Sequence, residues 1–217
     1  MDFAEARAIM VDTQVRPNDV TDRRLLAALE QTQKELYTPS GSRALAYAEI
    51  ETPLAPGRFV PTARDLSKLL QALKVKPSDL TLNIACGLGY TSAIMAKLCE
   101  MVVSTEADQA MAEEAERRLS ENGVDNAAVI VAGAGEGAPS QGPYDVILIA
   151  TGAEEIPEAI LAQIKPGGRL GYFEVRRGVS DAVLISRAGD VFTKTYEFSA
   201  SYRNVSPGLE AAKAFVF

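Results

Sequence analysis

Histidine and tryptophan are absent from this chain. Without imidazole there is no Ser-His-Asp or Cys-His nucleophile, no histidine base at neutral pH and no supply of the commonest zinc ligand. No metal site is expected. Cysteine is scarce, with Cys86 and Cys99 alone, and both fall in predicted interior elements. That excludes a disulfide framework and points to a reducing cytoplasm. No apolar run approaches the roughly 20 residues of a membrane span. The N-terminal MDFAEARAIM lacks the basic and apolar regions of a secretory signal. Positive charge is also short: 22 Lys and Arg stand against 29 Asp and Glu, giving net charge −7. An acidic surface argues against a nucleic-acid backbone or an anionic membrane as partner.

What is present is an ordinary globular composition. The 217 residues are 47% hydrophobic and 24% charged, enough for one domain with a sizeable core. A single domain over 1–217 is expected, with a helical and loop extension at 1–63 and a core at 64–217. Helices are predicted at 3–12, after Thr21 or Asp22, and over 64–74, where Leu66, Leu69, Leu70 and Leu73 recur at helical spacing. Residues 37–63 carry Pro39, Gly41, Pro53, Pro56, Gly57 and Pro61 and read as loop. From residue 80 strands and helices alternate: strands at 80–84, 102–105, 128–131 and 146–150, helices at 108–121 and 155–164. Strands at 169–175, 181–187 and 191–198 close the chain, the last two joined through Ala188-Gly189-Asp190. This is a mainly parallel sheet with an antiparallel end.

The most informative stretch is LTLNIACGLGYTSAIMAKL, residues 80–98. A short apolar strand runs into a turn holding Gly87 and Gly89, and a helical pattern follows. Glu106, nineteen residues after Gly87, ends the next apolar strand, MVVSTE. Glycines let a ligand approach the backbone, a helix N-terminus offers free N–H groups, and the carboxylate can take ribose hydroxyls. A glycine pair alone also serves as a plain tight strand-to-helix turn. Bulky Tyr90 directly after the second glycine fits a methyltransferase turn better than a dinucleotide fingerprint.

Those residues resemble the class I S-adenosylmethionine-dependent methyltransferases and, more narrowly, the protein-L-isoaspartate O-methyltransferase family. The resemblance runs from about residue 10 to 175 through RRLLAALEQTQKELYTP, RFVPTARDLSKLLQALKVKP, NIACGLGYTSAIMAKL, VVSTEAD and GPYDVILIATGAEEIPEAILAQIKPGGRL. It implies an α/β fold: a seven-stranded Rossmann-like methyltransferase sheet, here with an N-terminal helical extension and a C-terminal β hairpin. It implies S-adenosylmethionine as cofactor and methyl esterification of isoaspartyl carboxylates in damaged proteins. Carried over residue by residue, the cofactor site comprises Asn83, Ala85, Cys86, Gly87, Gly89, Glu106, Ala107, Gly133, Ala134 and Gly135. Glu106 is the ribose ligand and 133–135 borders the adenine.

Four positions depart from the family pattern. Asn83 stands where an acidic residue is usual, Ala85 where glycine is usual, Ala134 where an aspartate is usual, and Val60-Pro61-Thr62-Ala63 replaces a Ser-x-Pro segment. Ala134 cannot accept from an adenine amino group, although Glu136 lies two residues on. Thr62 is the remaining hydroxyl of that segment and the expected catalytic residue; it either orients an acceptor carboxylate or caps the helix that follows. Arg58 and Arg64 flank it and could draw a carboxylate in. These departures lead to an expectation of weak cofactor binding and slow isoaspartyl methylation. They leave two alternatives open: a non-catalytic binding module that keeps the fold, and a methyltransferase with a changed acceptor. The partner expected for the enzyme is a protein or peptide with an exposed carboxylate. The apolar FVF at 215–217 is expected to pack on the domain or on a partner.

Overall fold

The computed structural model describes residues 2–212; the FVF tail lies outside them. Helices α1 (Phe3–Met10) and α2 (Arg23–Gln31) open the chain, each capped by an aspartate, Asp2 and Asp22, whose carboxylate accepts from free N–H groups of the first turn. Between them the chain widens into a π turn over Val11–Val15 and tightens at Arg16–Asn18, so the first helical segment ends earlier than its apolar period suggests.

The expected loop at 37–63 contains structure that its prolines and glycines conceal. After a 3₁₀ segment at Ser40–Leu45, strands β1 (Thr52–Ala55) and β2 (Arg58–Val60) pair antiparallel into a small ribbon. Helix α3 (Ala63–Leu73) follows and buries Leu66, Leu69, Leu70 and Leu73.

The main sheet then assembles. Its strands are β3 (Leu80–Ile84), β4 (Met101–Glu106), β5 (Ala127–Val131), β6 (Tyr144–Ala153), β7 (Ile164–Arg176), β8 (Val179–Ala188) and β9 (Val191–Ala200). Helices α4 (Tyr90–Ala96), α5 (Gln109–Glu121) and the short α6 (Glu158–Leu161) link them. The order across the seven strands is β5-β4-β3-β6-β7-β8-β9, parallel from β5 to β7 and antiparallel thereafter. The expected helix at 155–164 is shortened to 158–161 because β7 already begins at Ile164.

Both faces of the central strands are covered, which is why they read as unbroken apolar runs rather than alternating ones. In β6, Val146 and Leu148 face the layer of α1 to α4, packing with Met10, Leu25, Leu66 and Ile94, while Ile147 and Ile149 face the opposite layer with Tyr144, Ile160 and Ile164. The chain leaves β3 toward β4 and β5 on one side and toward β6 on the other. Such a reversal opens a crevice beyond the carboxyl ends of the strands, where ligands of α/β sheets bind. Among the described residues no helix is long and apolar enough to cross a membrane, and no group of three or more His, Cys, Asp or Glu could hold a metal.

Candidate active site

A cavity of about 570 Å³ occupies that crevice, within the range of small-molecule sites. Ala85 lines it from the turn after β3, Glu106, Ala107 and Asp108 from the end of β4, and Ala132 and Ala134 from the loop after β5. The three strand ends are tied together by Cys86 N–H donating to Thr105 C=O (2.9 Å) and Ala132 N–H to Glu106 C=O (3.1 Å). The remaining wall comes from Pro56, Gly57 and Arg58 in the ribbon and from Val205, Ser206 and Pro207 in the tail.

The turn after β3 is built on left-handed backbone. Ala85, Gly87 and Gly89 have φ of 58°, 60° and 92°. Glycine meets that demand freely; alanine does so at a cost, because its Cβ crowds the next carbonyl. Ala85→Gly should therefore raise stability by about 0.5–1 kcal/mol, after the greater freedom of glycine in the unfolded chain is subtracted. Urea midpoints of the two chains check this, and a loss on substitution would mean that the Ala85 methyl gains more in packing than it costs in strain. Gly87 is fixed by space as well: a Cβ there would lie 2.5 Å from Leu54 Cδ1 of the ribbon.

Glu106 is fully buried at the centre of the site. Its Oε1 accepts from Arg58 Nη1 (2.8 Å), Ala107 N–H (3.0 Å) and Asp108 N–H (3.3 Å), and its Oε2 from Arg58 Nη2 (2.6 Å) and Gly87 N–H (2.9 Å). The bidentate pairing with this carboxylate raises the Arg58 pKa further above its ordinary value. Cys86, in the same turn, is buried; desolvation, with the Glu106 charge beside it, pushes its thiol pKa well up, so the sulfur stays protonated.

The other expected site residues are placed as follows. Asn83 is buried in β3; its Nδ2 donates to Ser92 Oγ (2.9 Å), which lies 2.8 Å from Ser104 Oγ, and its Oδ1 has no partner among the described residues. Ala134 lines the cavity, whereas its neighbours Gly133 and Gly135 are not among the lining residues, nor are Cys86, Gly87 and Gly89. Gly135 has no room for a side chain, since a Cβ would come within 2.7 Å of the Gly208 carbonyl in the tail. Glu136 is exposed and is not among the cavity-lining residues. Thr62 is the N-cap of α3, its Oγ1 accepting from Asp65 N–H (3.2 Å), and it does not line the cavity. Of the two arginines expected to draw in a substrate, Arg58 is spent on Glu106. Arg64 is engaged with Asp65, with Asn18 Oδ1 (3.2 Å) and with the Phe198 ring, 5.5 Å from its centroid.

The profile of the protein-L-isoaspartate(D-aspartate) O-methyltransferase family matches residues 6–197. The chain belongs to that family. A protein-L-isoaspartate O-methyltransferase of Methanoculleus marisnigri is 31% identical over 188 residues, 86% of each chain. One from Roseiflexus castenholzii is 29% identical over 190 residues, 88% of this chain and 87% of the other. Among solved structures, a protein-L-isoaspartate O-methyltransferase superposes with TM-score 0.79 at 21% identity, covering 95% of this chain and 66% of that one. A Plasmodium falciparum structure described as a beta-aspartate methyltransferase in complex with S-adenosyl-L-homocysteine gives TM-score 0.78 at 15% identity, covering 93% and 98%. Those two likenesses establish the methyltransferase fold.

For a protein-L-isoaspartate O-methyltransferase family member, the cavity fits S-adenosylmethionine in position and size. It sits at the carboxyl ends of β3 and β4, Ala85 opens the turn onto it, and Asn83 Oδ1, in the strand before that turn, is an unused buried acceptor. One feature resists the fit: both oxygens of the expected ribose ligand, Glu106, are already taken by Arg58. The tail wall was not legible in the sequence, because it has neither strand nor helix period. It is held by Gly152 N–H donating to Asn204 C=O (2.9 Å), by Ser206 N–H donating to Gly152 C=O (3.1 Å) and by a hydroxyl contact between Thr151 and Ser206 (2.9 Å).

Proposed function

We propose that this chain is an S-adenosylmethionine-dependent methyltransferase that esterifies isoaspartyl carboxylates of proteins or peptides, with turnover slowed by its own departures from the family pattern. The observation that carries the reading is the cavity at the ends of β3 and β4, with Glu106 at the carboxyl end of the second of these strands, in a chain of this family. When bound, the cofactor supplies a methyl group on a sulfonium, an excellent leaving group. A carboxylate acceptor is already a nucleophile at neutral pH, so this chain without histidine needs no general base. Alignment and exclusion of water are what its residues provide.

Glu106 holds the ribose hydroxyls, the 85–89 backbone receives the amino-acid end, and Ala134 borders the adenine. Protonated Cys86 offers no thiolate to compete for the methyl group. Both of the chain's cysteines are buried and unpaired, in keeping with a reducing, cytoplasmic setting. The acidic surface favours polypeptide over nucleic acid as partner.

Nothing in 58–64 is free to orient an acceptor: Arg58 and Arg64 are engaged, Pro61 has neither side-chain donor nor N–H, and Thr62 caps α3. An isoaspartyl peptide should therefore be methylated, and its aspartyl twin not, at a single-turnover rate below the roughly 1–10³ per second typical of enzymes. Equal labelling of both peptides would remove the isoaspartyl assignment; a rate within that range would remove the impairment. Thr62→Ala separates the two readings of that hydroxyl. A stability loss of about 1 kcal/mol with unchanged turnover fits the cap, and a fall in turnover at unchanged stability would restore the catalytic role. The non-catalytic alternative draws on the four departures and on one feature of the site, the occupied carboxylate of Glu106.

A further inference from the structure

We propose that the 52–60 ribbon gates the ribose side of the cavity: Arg58 holds Glu106 in the cofactor-free chain and must release it before a ribose diol can bind. The proposal rests on the S-adenosylmethionine reading above. A carboxylate offers about four lone-pair sites, and five N–H contacts already converge on this one. Three of them come from main-chain groups fixed at the strand ends. The other two belong to a single side chain, Arg58, which retains 21% of its exposure and can swing out.

The element that carries Arg58 stands apart from the main sheet. The ribbon's backbone pairs with no strand of the main sheet, and an isolated two-stranded hairpin of this length is marginal by itself. Its ends, Thr52 and Val60, are buried, and Leu54 and Phe59 pack against the core; over the site itself it is held at three points. Leu54 sits on Gly87, Arg58 grips Glu106, and the Phe59 carbonyl accepts from Tyr202 Oη (3.1 Å). Just before the ribbon, Glu51 Oε2 accepts from Asn204 Nδ2 (3.0 Å). Tyr202 and Asn204 introduce the tail segment that forms the opposite wall, so lifting the ribbon pulls on both walls of the cavity. The bidentate ion pair is thus a charge-assisted lock whose breakage opposes cofactor binding.

Calorimetric titration of the full chain with S-adenosylhomocysteine tests the gate, using the native chain, Arg58→Gln and Leu54→Ala. Arg58→Gln should bind on the order of tenfold tighter or more, since a charged hydrogen-bond pair no longer has to be broken. Leu54→Ala should show a smaller gain. Native affinity should rise by a small factor with added salt, which screens a half-enclosed pair only weakly, while Arg58→Gln stays flat. Equal or weaker binding by a natively folded Arg58→Gln, with native binding intact, overturns the gate and leaves the cofactor reading standing. Should Arg58→Gln not fold, a native affinity that does not rise with salt and no gain in Leu54→Ala overturn it equally. No binding by any of the three chains overturns the cofactor reading and the gate with it.

Discussion

Replacing Glu106 by alanine should lower folding stability by about 2–4 kcal/mol as well as remove cofactor binding. A ribose contact alone would give only the second effect. The carboxylate is fully buried and is the common acceptor for the N–H groups of Gly87, Ala107 and Asp108 and for the Arg58 guanidinium. Removing it leaves a cation and three main-chain donors without their acceptor. Arg58 can reach water in part, which keeps the cost below that of a wholly enclosed pair. Glu106→Gln keeps the shape and one acceptor oxygen, so it should cost less in stability. Urea denaturation of the native chain, Arg58→Gln, Glu106→Gln and the double variant completes a cycle. A coupling energy near zero would show that the pair contributes nothing to the fold and that Glu106 serves the ligand alone. Loss of S-adenosylhomocysteine binding in a folded Glu106→Gln chain completes the assignment; unchanged affinity would end it.

How much of this was readable from residues follows from where each signal lives. Strands β3, β4 and β6 were legible because two buried faces make continuous apolar runs. The turn after β3 was legible because Gly87 and Gly89 sit between a strand period and a helix period, and the place of Glu106 because it closes the next strand. The partner of Glu106 was not. Arg58 stands out by charge, but the ribbon that carries it has strands of four and three residues with Pro53, Pro56 and Gly57 among them, too short to show a period. The same holds for Val205–Pro207, whose place is set by Gly152, Thr151 and the Gly208–Gly135 approach, contacts between residues more than fifty positions apart. Thr62 shows a different limit. A hydroxyl three residues before Asp65 reads as a cap or as a ligand for substrate, and the direction of its side chain decides.

Lys34→Met should stabilise the chain at pH 7 by about 1–3 kcal/mol, and the gain should fade as pH rises. Lys34 is 2% exposed, between α2 and the 3₁₀ segment at 40–45, and among the described residues it forms no salt bridge. Its surroundings include the Tyr90 ring, whose centroid is 5.6 Å from Nζ, and a hydrogen-bonded group of Tyr47, Glu35 and Arg7 nearby. Burial lowers its pKa from 10.5 to about 8. The folded state therefore disfavours the charged form that the unfolded chain keeps up to its ordinary pKa. Below pH 8 both states are protonated and folding carries the whole burial cost, roughly 3 kcal/mol for a shift of this size. Between pH 8 and 10.5 the unfolded chain binds more protons, so the contribution of Lys34 to stability rises with pH, and above 10.5 the cost is gone. Methionine fills much the same volume without a charge, but it gives up the attraction of the ammonium for the Tyr90 face, worth about 0.5–2 kcal/mol. That loss offsets part of the gain. Urea midpoints for the native chain and Lys34→Met at pH 7 and 9.5 isolate the lysine from the tyrosines, which titrate in both chains. A variant less stable than the native chain at pH 7 would show that Tyr90 holds the ammonium more strongly than burial opposes it. A gain that does not change with pH would mean that Lys34 binds its proton equally well in the folded and unfolded chains, and would overturn the claim that burial disfavours its charge.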